Sequence, residues 1–254
     1  MQFFERNFLK RSRSTMGISV IIPVHNAAKT LHRTLASLML QTRRADDIVI
    51  VNDRSSDDFL GILAPYGDRI TLHESPRSGA GAARNVGVAK TRGELLFFCD
   101  ADLELAPDLL ARLFEALIRD PQAAFAYCAF RWNEKIFAER PFDAASVRRN
   151  NYISTMSLVR RSVFPLFDES LARFQDWDVW LSIIERGGYG VWVPDVLFSV
   201  LEEGSMSRRG GWSRLRATRA IRSKHHLAWA WTDYWLAIKE SLRVIWNKKK
   251  TSPS

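Results

Sequence analysis

Along this chain, short apolar runs alternate with segments whose apolar residues recur every three or four positions. Ile18-Ser19-Val20-Ile21-Ile22-Pro23 is β-branched and closed by proline, the pattern of a buried strand. Leu31, Leu35, Leu38 and Met39 then recur at helical spacing, predicting an amphipathic helix that ends near Gln41-Thr42. Ile48-Val49-Ile50-Val51 predicts a second strand running into Asn52-Asp53. A helix around Phe59 to Leu63, a short strand at Arg69 to His73, a turn at Ser78-Gly79-Ala80-Gly81 and a small-residue helix from Ala82 to Lys90 follow. Leu95-Leu96-Phe97-Phe98-Cys99 is another strand and stops abruptly at Asp100-Ala101-Asp102. Beyond Pro107, Leu109, Leu110, Leu113, Phe114 and Leu117 predict a helix, and Ala124 to Phe130 a strand. After Trp132 the pattern loosens into loops, with a strand expected at Ser154 to Val159. A helix opens at Phe174-Gln175-Asp176-Trp177-Asp178 and is stopped by Gly187-Gly188, and a last strand, Tyr189 to Phe198, is interrupted at Pro194.

Strands alternating with helices argue an α/β domain, Rossmann-like, with a mainly parallel central sheet. In such sheets the strands deliver their C-terminal residues to a ligand crevice, and here those ends are acidic. Asp100 and Asp102 would stand at the crevice mouth. Two anions so close raise each other's pKa, and a divalent cation is the usual compensation; an Asp-rich turn or helix start before Pro107 is the plain alternative.

Charge changes the picture at one end of the chain. The 254 residues carry a net charge of +9, but from Ser205 onward twelve Lys or Arg stand against two acids, so everything before it is close to neutral. The same stretch holds five of the nine tryptophans. From Leu227, the set Leu227, Trp231, Tyr234, Ile238, Leu242 and Ile245 falls on one helical face. Tryptophan with Lys and Arg on an amphipathic helix suits an anionic membrane surface; packing on the chain's own domain or on a partner is the other reading. No recognised nucleic-acid motif accompanies the charge, so no nucleic-acid partner is expected. Residues 1–16 interleave Phe3, Phe4, Phe8 and Leu9 with basic residues, a mobile or membrane-facing arm. No run of 18 apolar residues occurs, so neither secretion nor a spanning helix is expected, and cytoplasmic placement, peripheral on the membrane face, follows. Cys99 and Cys128 show no metal or redox spacing and read as buried structural thiols.

Five motifs stand in order: Pro23-Val24-His25-Asn26, Val51-Asn52-Asp53-Arg54-Ser55-Ser56-Asp57, Gly81-Ala82-Ala83-Arg84-Asn85-Val86-Gly87, Asp100-Ala101-Asp102 and Gln175-Asp176-Trp177-Asp178. Together they resemble glycosyltransferase family 2, the inverting nucleotide-sugar transferases of GT-A fold. The resemblance covers residues 17–207 and implies a GT-A domain there; the charge and helical periodicity read above make 208–254 a C-terminal amphipathic helical extension. It implies that Pro23, Val24 and Asn26 lie beside the nucleotide and that Asp53 accepts a hydrogen bond from its base; a turn or helix cap is the plain role for Asp53. It places Gly81 and Arg84 in the loop and helix that close on the nucleotide, although Arg84 could equally be a structural cation. Asp100-Ala101-Asp102 matches the family's DxD motif. Asp102 would then coordinate Mg²⁺ or Mn²⁺ directly, with Asp100 contacting ribose or the metal through water, and Ala101 between them. Asp176 matches the general base that deprotonates the acceptor hydroxyl. Trp177 and Asp178 are candidates for the acceptor side, and Trp180 for the core.

The chain departs from relatives at Ser199-Val200-Leu201-Glu202, where they often carry Tyr-Arg-x-His; Arg208 and Arg209 are candidates to compensate at the diphosphate. The expected activity is metal-dependent, inverting transfer of a sugar, from a UDP-sugar by the family's habit, to a glycan or lipid-linked acceptor in cell-envelope polysaccharide synthesis. A catalytically inactive nucleotide-sugar or glycan-binding protein on the same fold is the rival. A nucleotidyltransferase would need a glycine-rich signature that Val24 to Thr30 lacks, and a dehydrogenase would need a GxGxxG after the first strand.

Overall fold

The computed structural model describes residues 16–137, 140–201 and 211–228. The elements run β1 (Ile18–Val24), α1 (Leu31–Met39), β2 (Asp47–Asn52), α2 (Leu60–Leu63), β3 (Thr71–Glu74), α3 (Ala80–Lys90), β4 (Leu95–Phe98), β5 (Leu103–Leu105) and α4 (Leu109–Arg119). They continue with β6 (Phe125–Trp132), β7 (Lys135–Phe137), α5 (Ala144–Arg149), β8 (Leu158–Arg160), α6 (Gln175–Glu185), β9 (Gly190–Val200) and α7 (Gly211–Lys224). The described strands form one sheet in the order β3-β2-β1-β4-β8-β6-β9-β5, with β7 beside β6. Parallel ladders β3-β2-β1-β4 and β6-β9 contain most of the paired residues, and β8 runs antiparallel between the two groups.

The uninterrupted apolar runs follow from burial on both faces. Ile18, Val20 and Ile22 of β1 and Leu95 and Phe97 of β4 join the core under α1 and α4. Ile21, Leu96 and Phe98 point to the other face, into a second core with Trp177, Trp180 and Ile184 of α6. The helix α3 packs on β1 closely enough that Gly87 is required. A Cβ there would stand 2.3 Å from Ile21 Cγ2. Cys99 and Cys128 are buried and form no disulfide among the described residues.

Several expected boundaries shift for local reasons. Only Leu158–Arg160 of the stretch from Ser154 is strand, because Ser154 and Ser157 spend their hydroxyls on a local turn: Ser157 Oγ donates to Ser154 O at 2.7 Å and Ser154 Oγ accepts from Met156 N at 3.2 Å. The last strand passes through Pro194, since the pairing jumps from Cys128–Val193 to Ala129–Val196 and a bulge absorbs the proline. Three short elements, β5, β7 and α5, stand where loops were read. β5 and the residue after it are held by side chains of α1 and of Gln41 just past its end. Thr34 Oγ1 both donates to Leu103 O (2.8 Å) and accepts from Leu103 N (3.0 Å), Ser37 Oγ accepts from Leu105 N, and Gln41 Nε2 donates to Ala106 O.

The expected arm lies outside the described residues except for Met16, as do Glu202, Arg208, Arg209 and the apolar face of the tail beyond Ala228. The part of the extension that is described packs on the domain. Ile221 of α7 is fully buried in the α6 core. Arg222, 3% exposed, donates to Arg149 O at 2.9 Å, and Lys224 pairs with Asp168 at 2.7 Å and with Asp178 at 2.9 Å. His225 is sealed between Asp178 (2.8 Å) and Glu185 (2.7 Å). Among the described residues no helix is long and apolar enough to cross a membrane.

Gly87→Ala is expected to lower stability by about 1–3 kcal/mol, because the added methyl would clash with Ile21, which is fully buried in the core with α6. Urea unfolding of the two proteins checks this.

Candidate active site

The chain reverses direction across the sheet at β1: β2 and β3 lie on one side of it, β4 on the other. The crevice outside the C-terminal ends of these strands is where an open α/β sheet binds ligands. Three strand ends open onto it. β1 delivers Pro23 and Val24, which are buried or nearly so, and then His25 and Asn26; β2 delivers Asp53; β4 delivers Cys99 and Asp100.

Asn26 adopts a left-handed conformation, φ 51°, which Asn tolerates. That turn lets its Oδ1 accept from Ser56 N at 2.7 Å while Ser55 Oγ accepts from Asn26 N at 3.1 Å, tying the loop after β1 to the loop after β2. His25 Nδ1 lies 2.6 Å from Asp53 O and strengthens the same link. Asp53 is 6% exposed, and both its oxygens accept from Gly79 N, at 3.0 and 2.9 Å. Gly79 has φ 120°, a conformation open to glycine, and it caps α3. Asp53 therefore holds the glycine-rich turn against the strand ends, and its carboxylate keeps lone pairs for a further donor.

Inside α3, Gly81 lies against Gln175 of α6: an added Cβ would meet Gln175 Nε2 at 2.7 Å. One turn on, Arg84 is 8% exposed and reaches two elements at once. It donates to Asp100 Oδ1 at 2.6 Å and to Gln175 Oε1 at 3.3 Å, with its guanidinium 5.4 Å above the Phe167 ring. Since Gln175 directly precedes Asp176, this one side chain joins the Asp100 end of β4 to the start of α6.

Asp102 has no such cation. Ala101 is buried between the two acids, and apart from its own backbone amide the Asp102 carboxylate meets no donor among the described residues. Burial first, then the Asp100 charge, raises its pKa from 3.8 to about 6. An under-compensated pair of hard oxygen donors suits Mg²⁺ or Mn²⁺. Among the described residues no third His, Cys, Asp or Glu joins them, so the rest of a coordination shell would come from ligand oxygens and water. Leu201 N donates to Asp102 O at 2.7 Å, which places Leu201 beside this pair.

Asp176 is half-buried at the start of α6. Burial raises its pKa, and the offsetting contacts are Trp177 N, Asn151 Nδ2 at 2.9 Å and the charge of Arg84. Asn151 was not legible as a site residue, because nothing in the loop pattern around it marks a function. Its position is set by two tryptophans of α6: Trp177 Nε1 donates to Val147 O at 2.7 Å and Trp180 Nε1 to Ile153 O at 3.1 Å, bracketing Asn151 between them.

Two candidates for the acceptor side lie elsewhere. Trp177 is 3% exposed, its N–H spent on that backbone bond, and Asp178 is 2% exposed with its oxygens on Lys224 and His225. Both face the interior and α7, because residues one and two positions past Asp176 turn to other faces of the helix. Trp180 is in the core, as expected.

A family profile described as Glycosyl transferase family 2 matches residues 19–174. An uncharacterized glycosyltransferase of Rickettsia typhi is 25% identical over 194 residues, covering 69% of this chain and 61% of that protein. The chain thus spans about three-fifths of that relative's length. Among solved structures, TarS of S. aureus in complex with UDP-GlcNAc superimposes with a TM-score of 0.65 at 18% identity, over 82% of this chain and 66% of that one. Glucosyl-3-phosphoglycerate synthase from Mycobacterium tuberculosis, in complex with Mn²⁺, UDP and glucosyl-3-phosphoglycerate, gives 0.67 at 17% identity over 87% and 84%. These likenesses show the fold, the GT-A arrangement expected from the motifs.

The raised pKa of Asp102 carries a sign. The folded protein holds this proton more tightly than the unfolded chain, so ionising Asp102 costs stability as pH rises from 3.8 to about 6. Asp102→Asn is expected to exceed the native protein in stability at pH 7 by about 1 kcal/mol, after discounting for solvent, with the difference gone near pH 3.8. Denaturant unfolding at both pH values, without divalent cation, measures it.

Proposed function

The chain belongs to glycosyltransferase family 2, and from that premise we propose that it transfers a sugar from a nucleotide-sugar donor to an acceptor hydroxyl with inversion, using a divalent cation. The observation that carries this reading is the reach of Arg84, which fastens Asp100 and the residue before Asp176 to one guanidinium, so that a metal-side carboxylate and a base-side carboxylate share one crevice.

Each residue's part follows from its position. Asp53, with lone pairs left after Gly79, accepts a hydrogen bond from the nucleotide base, with Pro23, Val24 and Asn26 beside the ring. UDP in the two structural neighbours supports uracil. Gly81 permits close approach of α3 to the donor. Asp102 and Asp100 hold Mg²⁺ or Mn²⁺, and the Mn²⁺ in one neighbour supports that choice. When bound there, the ion supplies Lewis-acid neutralisation of charge on the departing diphosphate. Asp176 accepts the acceptor's proton as that oxygen attacks the anomeric carbon from the face opposite the nucleotide. Its raised pKa strengthens it as a base, and Asn151 fixes its orientation. We assign a glycan or lipid-linked acceptor in envelope polysaccharide synthesis. The basic, Trp-rich residues beyond 228 supply attraction to an anionic membrane surface, which would make the protein peripheral on its cytoplasmic face.

Nucleotide release from a UDP-sugar panel is expected only with Mg²⁺ or Mn²⁺ present. Asp176→Asn should cut transfer about 10²- to 10⁴-fold while UDP affinity holds. Full turnover in that variant, or turnover without metal, would remove the assignment. Vesicles containing phosphatidylglycerol should bind the full chain in low salt and release it in high salt, and a chain ending at Ala228 should not bind; equal binding by both rejects the tail's role.

A further inference from the structure

The extension meets α6 through charge as well as through Ile221. His225, just past the end of α7, has a side chain 2% exposed, with Nε2 2.8 Å from Asp178 Oδ1 and Nδ1 2.7 Å from Glu185 Oε1. A carboxylate offers only acceptors, so each ring nitrogen that faces one must carry a hydrogen. An imidazole with hydrogens on both nitrogens is a cation. Lys224 stands beside it, 2.9 Å from the same Asp178 oxygen and 2.7 Å from Asp168 in the loop before α6. Among the described residues these are the charged groups gathered around the ring; Arg222, one turn back, donates instead to Arg149 O and Ala228 O. Without the His225 charge, three carboxylates would have one ammonium between them.

The place of Asp178 gives this cluster its consequence. α6 begins at Gln175, after Phe174, which has a left-handed backbone, φ 59°, and supplies no side-chain cap. A helix start without a cap at that position leans on contacts from elsewhere. Arg84 donates to Gln175, Asn151 to Asp176, and Lys224 and His225 to Asp178, so the turn on which Asp176 stands is anchored from separate parts of the chain. Only the last anchor comes from the extension, and only it contains a side chain of the type that changes charge near neutral pH. Burial by itself would lower the His225 pKa from 6.5; the hydrogen bonds to Asp178 and Glu185 outweigh that, and the pKa is raised. The contribution of this cation is therefore complete below pH 6.5 and fades as pH rises through the higher value of the folded chain. Glu185 is the partner that can let go, since its side chain is 48% exposed whereas Asp178 is sealed.

We propose that His225, as an imidazolium, is a positioning residue for Asp176: it clamps the extension to the first turn of α6 through Asp178, and the clamp loosens when the ring gives up a proton. The inference rests on the glycosyltransferase reading for the role of Asp176, and it makes turnover depend on the extension.

The test uses the full chain. Ring ¹⁵N spectra of its five histidines at pH 7 should show one, absent from His225→Gln, that is protonated on both nitrogens and loses a proton only above pH 6.5. Hydrogen exchange, corrected for the intrinsic effect of pH, should quicken about tenfold or more over residues 174–178 and 214–224 as that proton leaves, and His225→Gln should show the fast rates at every pH. Nucleotide release from a UDP-sugar with Mg²⁺ should fall about tenfold in kcat along the same alkaline limb, with the donor KM held. Glu185→Gln, at a half-exposed position that leaves folding intact, keeps an acceptor but removes a charge, so the limb moves toward pH 6.5. A singly protonated His225 at pH 7, exchange unaltered in His225→Gln, or a limb that stays in place in Glu185→Gln overturns the proposal. Native kcat in a His225→Gln chain with fast exchange overturns the positioning of Asp176 alone. A native chain that neither binds UDP nor releases nucleotide fails the glycosyltransferase reading, and the ring spectra and exchange then still decide whether the clamp exists.

Discussion

A single guanidinium holds the two halves of this site together. Arg84 is nearly buried, and a buried charge is tolerable only when oxygens surround it. Asp100 and Gln175 supply those oxygens from a strand end and from a helix start far apart in sequence. The pairing is incomplete, since Arg84 Nε is buried without an acceptor among the described residues. A pair placed for stability alone would hardly leave that donor orphaned. The arrangement instead favours fixed position over maximal stability, as expected where charges must stand ready for a ligand.

The same economy governs the three acids of the crevice. Asp53 is spent on a backbone amide and organises a glycine turn; Asp100 is spent on Arg84; Asp102 is left without a cation and is correspondingly hard to ionise. Chemically similar carboxylates at the ends of β2 and β4, with β1 between them, thus differ in what each touches. Asp176 is a fourth case, raised by burial and partly restored by Asn151 and the field of Arg84.

Much of this was legible in the residues. The double-sided burial of β1 and β4 explains why their apolar runs announced a parallel sheet, and the acids at strand ends fell on one edge because parallel strands share a direction. What escaped reading had partners remote in sequence. β5 is three residues long and is held by α1 side chains about seventy positions away, so no local pattern could mark it. Asn151 is a site residue only because Trp177 and Trp180 clamp the segment around it. Asp178 carried the same local signal as Asp176, and only α7 distinguishes them: His225 and Lys224 claim its oxygens and take it out of the crevice.

The polar stripe of Thr34 and Ser37 on α1, continued by Gln41 just past its end, has a consequence for the molecule's life in a crowded solution. β5 is the last strand of the sheet, and a bare terminal strand offers a row of unpaired amides and carbonyls to any other extended chain. Here a helix imitates the missing neighbour, with hydroxyls and an amide at helical spacing answering Leu103, Leu105 and Ala106. The sheet therefore ends on that side in a surface that cannot be extended, and the protein is guarded there against zipping onto copies of itself.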